Sequence, residues 1–579
     1  MNRRTRTTLA AVVGAVLVIP LGITATTASW NDREWAHGES IGTGILSCDG
    51  DAVLDTRSRG TLLAGQLFGV DLDAVAELEQ LSLTVDADDG PQPRPGDAID
   101  LASSPPTYTY ANPFDVTAVD IVGVNLTGFA IALPGAQSGA ASQWTRGATD
   151  GRAAGASGLV NDSGGILVSE TTPGPQVPQP ARIDLTRLLP PITGLDRAEL
   201  EIGAVAASAQ LDGCAALQEQ VWGIAPSQAV AERDYGIAGM EVVLEAPAVE
   251  ALTGAVTAGV ADLDAAVGAL VGQSGLIAQN LRANLALAVP GVAAASMAGD
   301  VTITGLDLSG TVAPFLGLTL DGDGFAIDLA NGRILVDVER LAGPLNNAPP
   351  NSELVLNADV VNAIVAEAGA LLDDWASDVT EALRTAIRDA RLGIALTTSV
   401  SAAGYTLATV RLGLDATIGQ VLSGDATIGV TLSNQPTGLI VGTINLALGA
   451  LGLPTLSSIL SILGGSGGAL TAALANLLTT ELMNRVTSLG ATLSALSAPV
   501  IDVLGGVVNA LPTVVSVMVN VQPDQEGAPP GSSFVPAGPR STAEFAVTAL
   551  RLGLADAAVP GDVAHILFAT GSAGPVDLP

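Results

Sequence analysis

The residues best placed to do chemistry surround Ser466. Gly464-Gly465-Ser466-Gly467-Gly468 fits the G-x-S-x-G pattern of a nucleophile elbow, and Asp556 or Asp562 followed by His565 completes the acid and base in hydrolase order. Such an elbow holds the serine hydroxyl clear of the backbone because a buried strand enters a tight turn and a helix leaves it. Here residues 456–463 are patterned more like a helix, and five residues that are almost all glycine read as a hinge between helices. A serine hydrolase using Ser466 and His565 is therefore the second alternative, and the leading reading assigns no catalytic residue.

Metal chemistry has few ligands to work with. His37 and His565 are the only histidines, and neither stands near a cysteine or a second histidine at zinc-ligand spacing. Carboxylates are the better candidates: Asp86-Ala87-Asp88-Asp89-Gly90, Asp321 with Asp323, and Asp373-Asp374. Calcium takes such oxygens from loops, but an EF-hand loop would need Asp or Asn at position 325, where this chain has Phe325. Each cluster reads first as a solvated turn or helix face, with calcium as the alternative. No cofactor is expected.

Composition removes whole classes of function. The 579 residues carry 58 Asp and Glu against 23 basic side chains, a formal charge of −35, and every basic residue is arginine. An acidic, lysine-free surface cannot neutralise the phosphates of a nucleic acid. Lacking lysine, the chain also has no P-loop amine and no Schiff-base nucleophile. With 48% hydrophobic residues and only 3% aromatics, the core must be built from Ala, Val, Leu and Ile.

The start of the chain reads as an export signal. Arg3, Arg4 and Arg6 precede an apolar stretch over 9–23, and Thr26 and Ala28 supply the small residues of a cleavage site, so residues 1–28 are expected to be removed. The apolar residues that should follow a twin-arginine pair are missing. Cys48 and Cys214, the only cysteines, then reach an oxidising compartment, where two cysteines more often pair than stay free; a pair of buried thiols is the alternative. Trp30 and Trp35 crowd the mature N-terminus and are expected to dock on a sheet, their own or a neighbour's.

Two regions should position these residues. Residues 29–247 show short apolar runs at 81–85, 116–124, 166–168 and 200–205, with proline-rich breaks at 91–95 and 173–180, which predicts a β-rich, sandwich-like domain stapled by Cys48 and Cys214. Residues 248–579 predict an α+β domain with helical segments at about 249–287, 358–391 and 467–510. The second helix shows the stripe Val361, Ile364, Ala368, Leu372, Trp375, Val379, Leu383 and Ile387, with Asn357 as N-cap and Gly393 closing it. Pro499 should kink or break the third. Asn331-Gly332 reads as a two-residue hairpin turn, and Ala416 to Gly419, repeated at Ala426 to Gly429, as a hairpin across Ser423-Gly424-Asp425. No charged side chain lies between Asp425 and Glu481. Within that stretch 439–463 is long enough to span a bilayer, but its polar residues and unflanked ends favour a buried strand and core helix, so no transmembrane span is expected in the mature chain.

The two ends carry a resemblance. Trp30-Asn31-Asp32-Arg33-Glu34-Trp35-Ala36-His37-Gly38 and Ala549-Leu550-Arg551-Leu552, with Ala569 and Gly574-Pro575 near the close, are similar to the choice-of-anchor G proteins of actinobacteria. That resemblance implies an extracellular body joined to varying attachment signals, with no established activity; no LPxTG or terminal apolar span is recognisable here. The junction Ala28-Ser29-Trp30-Asn31-Asp32-Arg33-Glu34 also resembles SipW-type export tags of TasA and camelysin matrix proteins, which implies an export route and matrix assembly. The expected function is a non-enzymatic cell-surface or matrix protein with a structural or adhesive role, partnered by copies of itself or by a cell-envelope polymer. The first alternative is a binding module for a lipid or other apolar ligand using the uncharged 426–480 region.

Overall fold

The computed structural model describes residue 48 and residues 53–578 with breaks, the longest at 73–78, 114–117, 128–141, 169–179, 224–229, 434–467 (where scattered residues are described), 530–542 and 555–563. The expectations for the signal, Trp30, Trp35, His37 and Asn357 lie outside the described residues. Residues 46–579 form one compact unit of α+β class.

Its centre is an eight-stranded antiparallel sheet in which the first and last long strands among the described residues are neighbours. Asp55–Leu67 pairs with Ala564–Asp577 from Asp55 opposite Asp577 to Leu67 opposite Ala564, and on its other side with Leu81–Asp86. Phe545–Leu554, Val515–Val521 and the short edge strand Ser352–Leu354 continue beyond Ala564–Asp577; Gly90–Arg94 closes the opposite edge. The prolines at 91 and 93 therefore sit in an edge strand rather than a break, where a missing N–H costs no ladder bond.

A second, six-stranded sheet lies face to face with the first. Two neighbouring strands of it, Arg152–Gly158 and Val205–Asp212, are rich in small residues, Ala, Gly and Ser in the first and Ala and Ser in the second. The contact uses their smallness. A Cβ placed on Gly155 would stand 2.0 Å from the Arg59 carbonyl oxygen and 2.4 Å from that of Ser572, and one on Gly571 would meet the Gly155 oxygen at 2.5 Å. Backbone thus touches backbone, far closer than the ~10 Å between ordinary facing sheets. Ser157 Oγ donates to the Thr61 carbonyl across the gap at 2.8 Å.

The third sheet, eight-stranded, runs from Thr319–Gly322 through Phe325–Asp328, Arg333–Asp337, Met240–Glu245 and Arg197–Ile202 to Ala118–Ile121. Met240–Glu245 lies between Arg197–Ile202 and Arg333–Asp337, so pairing crosses the boundary expected at 247/248. The first and last long strands cross it again. One hydrophobic core unites the central, third and fourth sheets with the helices.

Helices enter in the order α1 (Gly213–Trp222), α2 (Pro247–Leu270), α3 (Leu276–Ala288), α4 (Leu308–Leu316), α5 (Val338–Ala342), α6 (Ala358–Asp389), α7 (Ile418–Ser423), α8 (Ala469–Leu478) and α9 (Asn484–Val514). The segment expected at 249–287 is thus two helices, α2 and α3. Every residue of the stripe predicted for α6 is buried. Gly393 does not close that helix: α6 ends at Asp389, and Leu392, Ile394 and Leu396 switch to a two-residue period in the strand Arg391–Ala402. A π-helical turn, Thr479–Met483, joins α8 to α9, which continues through Pro499 and Pro512. Packing explains why Pro499 does not end it. The proline is exposed, while Val500, Val503, Leu504, Val507 and Val508 on the inner side pack into the core, where α9 meets α6 and α2.

The run Asp321-Gly322-Asp323-Gly324, which reads as a turn in the sequence, does hold a two-residue hairpin at Asp323-Gly324, where Gly322 opposes Phe325 and Gly324 adopts φ +89°, a region glycine enters freely. Two other turns differ from expectation. Asn331-Gly332 belongs to a four-residue turn, in which the Asp328 carboxylate accepts from the backbone N–H groups of Ala330 and Asn331. In the fourth sheet Tyr405–Thr417 and Gly429–Ser433 do pair, but α7, opened by a capping box of Thr417 and Gln420, stands between them.

Candidate functional site

Ser466, Asp556 and Asp562 lie outside the described residues. His565 is described and is 4% exposed, in the paired interior of the central sheet with Gln66 on one neighbouring strand and Gly553 on the other. A general base must come within hydrogen-bonding reach of its substrate. His565 is placed within the sheet, and the serine and aspartates of the pattern are not among the described residues.

The acidic clusters have local structural work. Asp86 ends the strand Leu81–Asp86, and its carboxylate accepts from the N–H groups of Asp88 (2.8 Å) and Asp89 (2.9 Å). Those two bonds hold its pKa below the usual carboxylate value. Asp323 pairs with Arg340 at 3.5 Å in an exposed contact, and its N–H donates to Glu367. Asp373 and Asp374 occupy the exposed face of α6. Among the described residues no group of three His, Cys, Asp or Glu side chains could hold a metal ion.

A different acidic row emerges on the third sheet. Glu201 stands directly opposite Glu241, and Glu241 opposite Asp337, so three carboxylates cross three adjacent strands. Desolvation raises the Glu241 pKa, and the charges of Asp337 and Glu201 raise it further. Arg182 partly balances the row through a 2.9 Å contact with Glu201.

Cys48 and Cys214 form a disulfide with Cα atoms 5.8 Å apart. Cys214 is buried in the first turn of α1, whose N-terminus is capped by Asp212 accepting from the Ala215 N–H at 3.0 Å. The bond ties the lead into strand Asp55–Leu67 to the end of Val205–Asp212, pinning the two facing sheets together.

A second fastening joins them through charge. Arg233, on the outermost strand of the Gly/Ala sheet, lies 2.7 Å from Asp524, and both side chains are about nine-tenths buried. The approach is off the hydrogen-bonding direction, so the contact is an ion pair, and Arg233 Nη1 donates to Gln522 instead. The guanidinium also lies 5.2 Å from the Phe545 ring centre. Asn351 continues the network: its side-chain amide donates to the Gln522 carbonyl and its side-chain oxygen accepts from the Gln522 N–H.

Of the uncharged 426–480 region, 439–463 lies mostly outside the described residues; Leu446 is described and is 76% exposed. Among the described residues one helix, Ala469–Val514, is long and apolar enough to cross a bilayer by length and composition. Its leucine face is buried in the core.

One small apolar cleft opens where three units meet. It holds about 130 Å³ between the third sheet (Leu200, Met240), the edge segment Leu354, Val355 and Leu356, and the end of α9 at Leu511 and Pro512; Glu353 is the one charged residue on its rim. Val355 is 63% exposed at the mouth. No sequence signal marks this cleft, because its walls come from five segments far apart in the chain. No curated protein and no solved structure matches the chain. A family model described as a domain of unknown function, DUF8394, matches residues 58–574, from the first long strand of the central sheet into the last, and the chain belongs to that family.

Proposed function

We propose that this is an exported, non-enzymatic structural protein of the cell surface or extracellular matrix, with an adhesive role. The observation that carries the reading is the closure of the fold. Its first and last long strands are neighbours in one sheet, and that sheet is locked to a second by glycine contacts and a disulfide. Such closure resists unravelling from either end, which suits a protein working outside the cell without chaperones. The basic and apolar start of the chain, the oxidised cysteine pair and the acidic, lysine-free composition support an extracellular setting. The likeness of the chain ends to choice-of-anchor G proteins and to SipW-type export tags points the same way. Fractionating cells into cytosol, membrane, wall and medium tests it: the mature chain is expected in wall or medium, and finding most of it in the cytosol overturns the reading.

The apolar cleft beside Leu354 and Leu511 supports a second reading, a binding module. Its 130 Å³ is close to cavities that take a benzene-sized group. It would hold the end of an acyl chain or one ring, not a whole lipid. Native mass spectrometry of the purified chain is expected to find a monomer carrying a small apolar ligand on this reading, and a bare protein contradicts it.

A further inference from the structure

We propose that Asn331-Gly332 is a self-modifying site, where the asparagine side chain loses ammonia to become aspartate or isoaspartate and so slackens the turn that anchors α2. It is the only Asn-Gly pair in the chain. It lies in the four-residue turn between Phe325–Asp328 and Arg333–Asp337, with Arg333 back in register opposite Asp328. The chemistry needs water but no enzyme and no partner.

Three features of the turn favour it. Gly332 has no side chain to obstruct ring closure at its nitrogen, and its φ of +67° is one that glycine adopts freely. Its N–H stands outside the strand ladder, and among the described residues it donates no hydrogen bond. Asn331 is exposed, and Asp328 Oδ2 accepts from its Nδ2 at 2.6 Å, while Asp328 Oδ1 accepts from the N–H groups of Ala330 and Asn331. The carboxylate thus keeps the reacting side chain in the turn, beside its nucleophile, rather than letting it swing in solvent.

In the first step the Gly332 nitrogen gives its proton to solvent and attacks Asn331 Cγ. The Cγ–Nδ2 bond breaks, and Nδ2 leaves as ammonia after taking a proton back from solvent. One water then opens the cyclic imide. Cleavage at Cγ restores the main chain with an aspartate side chain; cleavage at the backbone carbonyl carbon routes the main chain through Cγ as isoaspartate. Either product replaces a donor to Asp328 with a second carboxylate beside it, and like charges at close range repel. Glu250 adds a third carboxylate, its Oε1 lying 3.1 Å from where a Cβ on Gly332 would stand. The Gly332 carbonyl accepts from the Ala246 N–H at 3.2 Å, and Ala246 opens α2 without a side-chain cap. Loosening the turn therefore frees the start of that helix.

Ageing the purified, folded chain at neutral and mildly alkaline pH, with peptide mapping by mass spectrometry, tests the proposal. Asn331 should exchange its amide for a carboxylate roughly tenfold or more faster than Asn351, whose nitrogen donates to the carbonyls of Gln522, Gln525 and Glu526. The exchange should quicken at the higher pH, release ammonia and yield an isoaspartate that isoaspartyl methyltransferase methylates. Thermal melting reads the consequence. The aged chain and Asn331→Asp should both melt below the fresh parent, while Asn331→Gln, whose longer side chain closes its ring far more slowly, should hold its midpoint on ageing. An Asn331 that keeps its amide as long as Asn351 does overturns the proposal. So does conversion that leaves the midpoints of both the aged chain and Asn331→Asp unmoved, which would make the change a chemical one without effect on the turn.

Discussion

Replacing Gly155 by alanine should unsettle the whole sandwich, although it adds one methyl group. The new Cβ would lie 2.0 Å from the Arg59 carbonyl oxygen and 2.4 Å from the Ser572 oxygen. Both are backbone atoms of paired strands in the central sheet, so neither can swing aside as a side chain would. Relief requires the two sheets to part locally by about 1 Å, which loosens dispersion contacts along the neighbouring Ala and Ser positions. Overpacking of this kind costs about 1–3 kcal/mol, and rigid obstacles on the far side put Gly155→Ala at the top of that range. Gly254→Ala is the matched control. Gly254 is exposed on α2 with nothing within 4 Å of an added Cβ, so helix propensity alone should stabilise that variant by up to about 1 kcal/mol. Guanidinium unfolding of the three proteins, followed by far-ultraviolet circular dichroism, should order the midpoints Gly155→Ala, parent, Gly254→Ala. A Gly155→Ala midpoint at or above the parent's refutes the close approach of the sheets.

Three other perturbations have directions set by the structure. Cys48→Ser opens a loop of 166 residues and should cost about 5 kcal/mol on the chain-entropy account, seen as a lowered unfolding midpoint that reductant reproduces in the parent. Asp524→Asn leaves the buried Arg233 without its counter-charge and should cost about 3 kcal/mol, measured in the same titration; an unchanged midpoint contradicts the buried ion pair. Glu241 has a raised folded pKa, so it takes up protons on folding, and its contribution to stability is lost as pH rises from the ordinary 4.5 through the folded value. Glu241→Gln should therefore melt higher than the parent at neutral pH, with the gap closing below pH 4.5, and a gap independent of pH contradicts the carboxylate row.

How much of this was readable from sequence depended on the range of each interaction. The stripe through Val361, Leu372 and Ile387 was legible because a 3.6-residue period is local, and every member is buried. The limits of α6 and α9 were less so. Gly393 and Pro499 carry strong local signals, but tertiary packing decided both. Pairing across the fold was not legible at all: nothing near Asp55 indicates that its neighbour is Asp577. The small residues at 152–158 and 205–212 carry no local sign of what they form, a contact between two backbones. For the candidate sites, counting cysteines was enough to suggest the bond between Cys48 and Cys214. Among the acidic clusters weighed as calcium candidates, Asp86 is spent on turning the chain.

The side-by-side arrangement of Asp55 and Asp577 also determines how the body would bear tension. Pulled apart at those two points, the strands would separate one hydrogen bond after another, like a zip, at low force. Tugged at Asp577 against a grip on the far side of the molecule, the same strand would have to slide out between two neighbours with all its bonds loaded at once. A tether at that pole would therefore hold fast against drag on the distal surface, yet let go easily if its two ends were drawn in opposite directions.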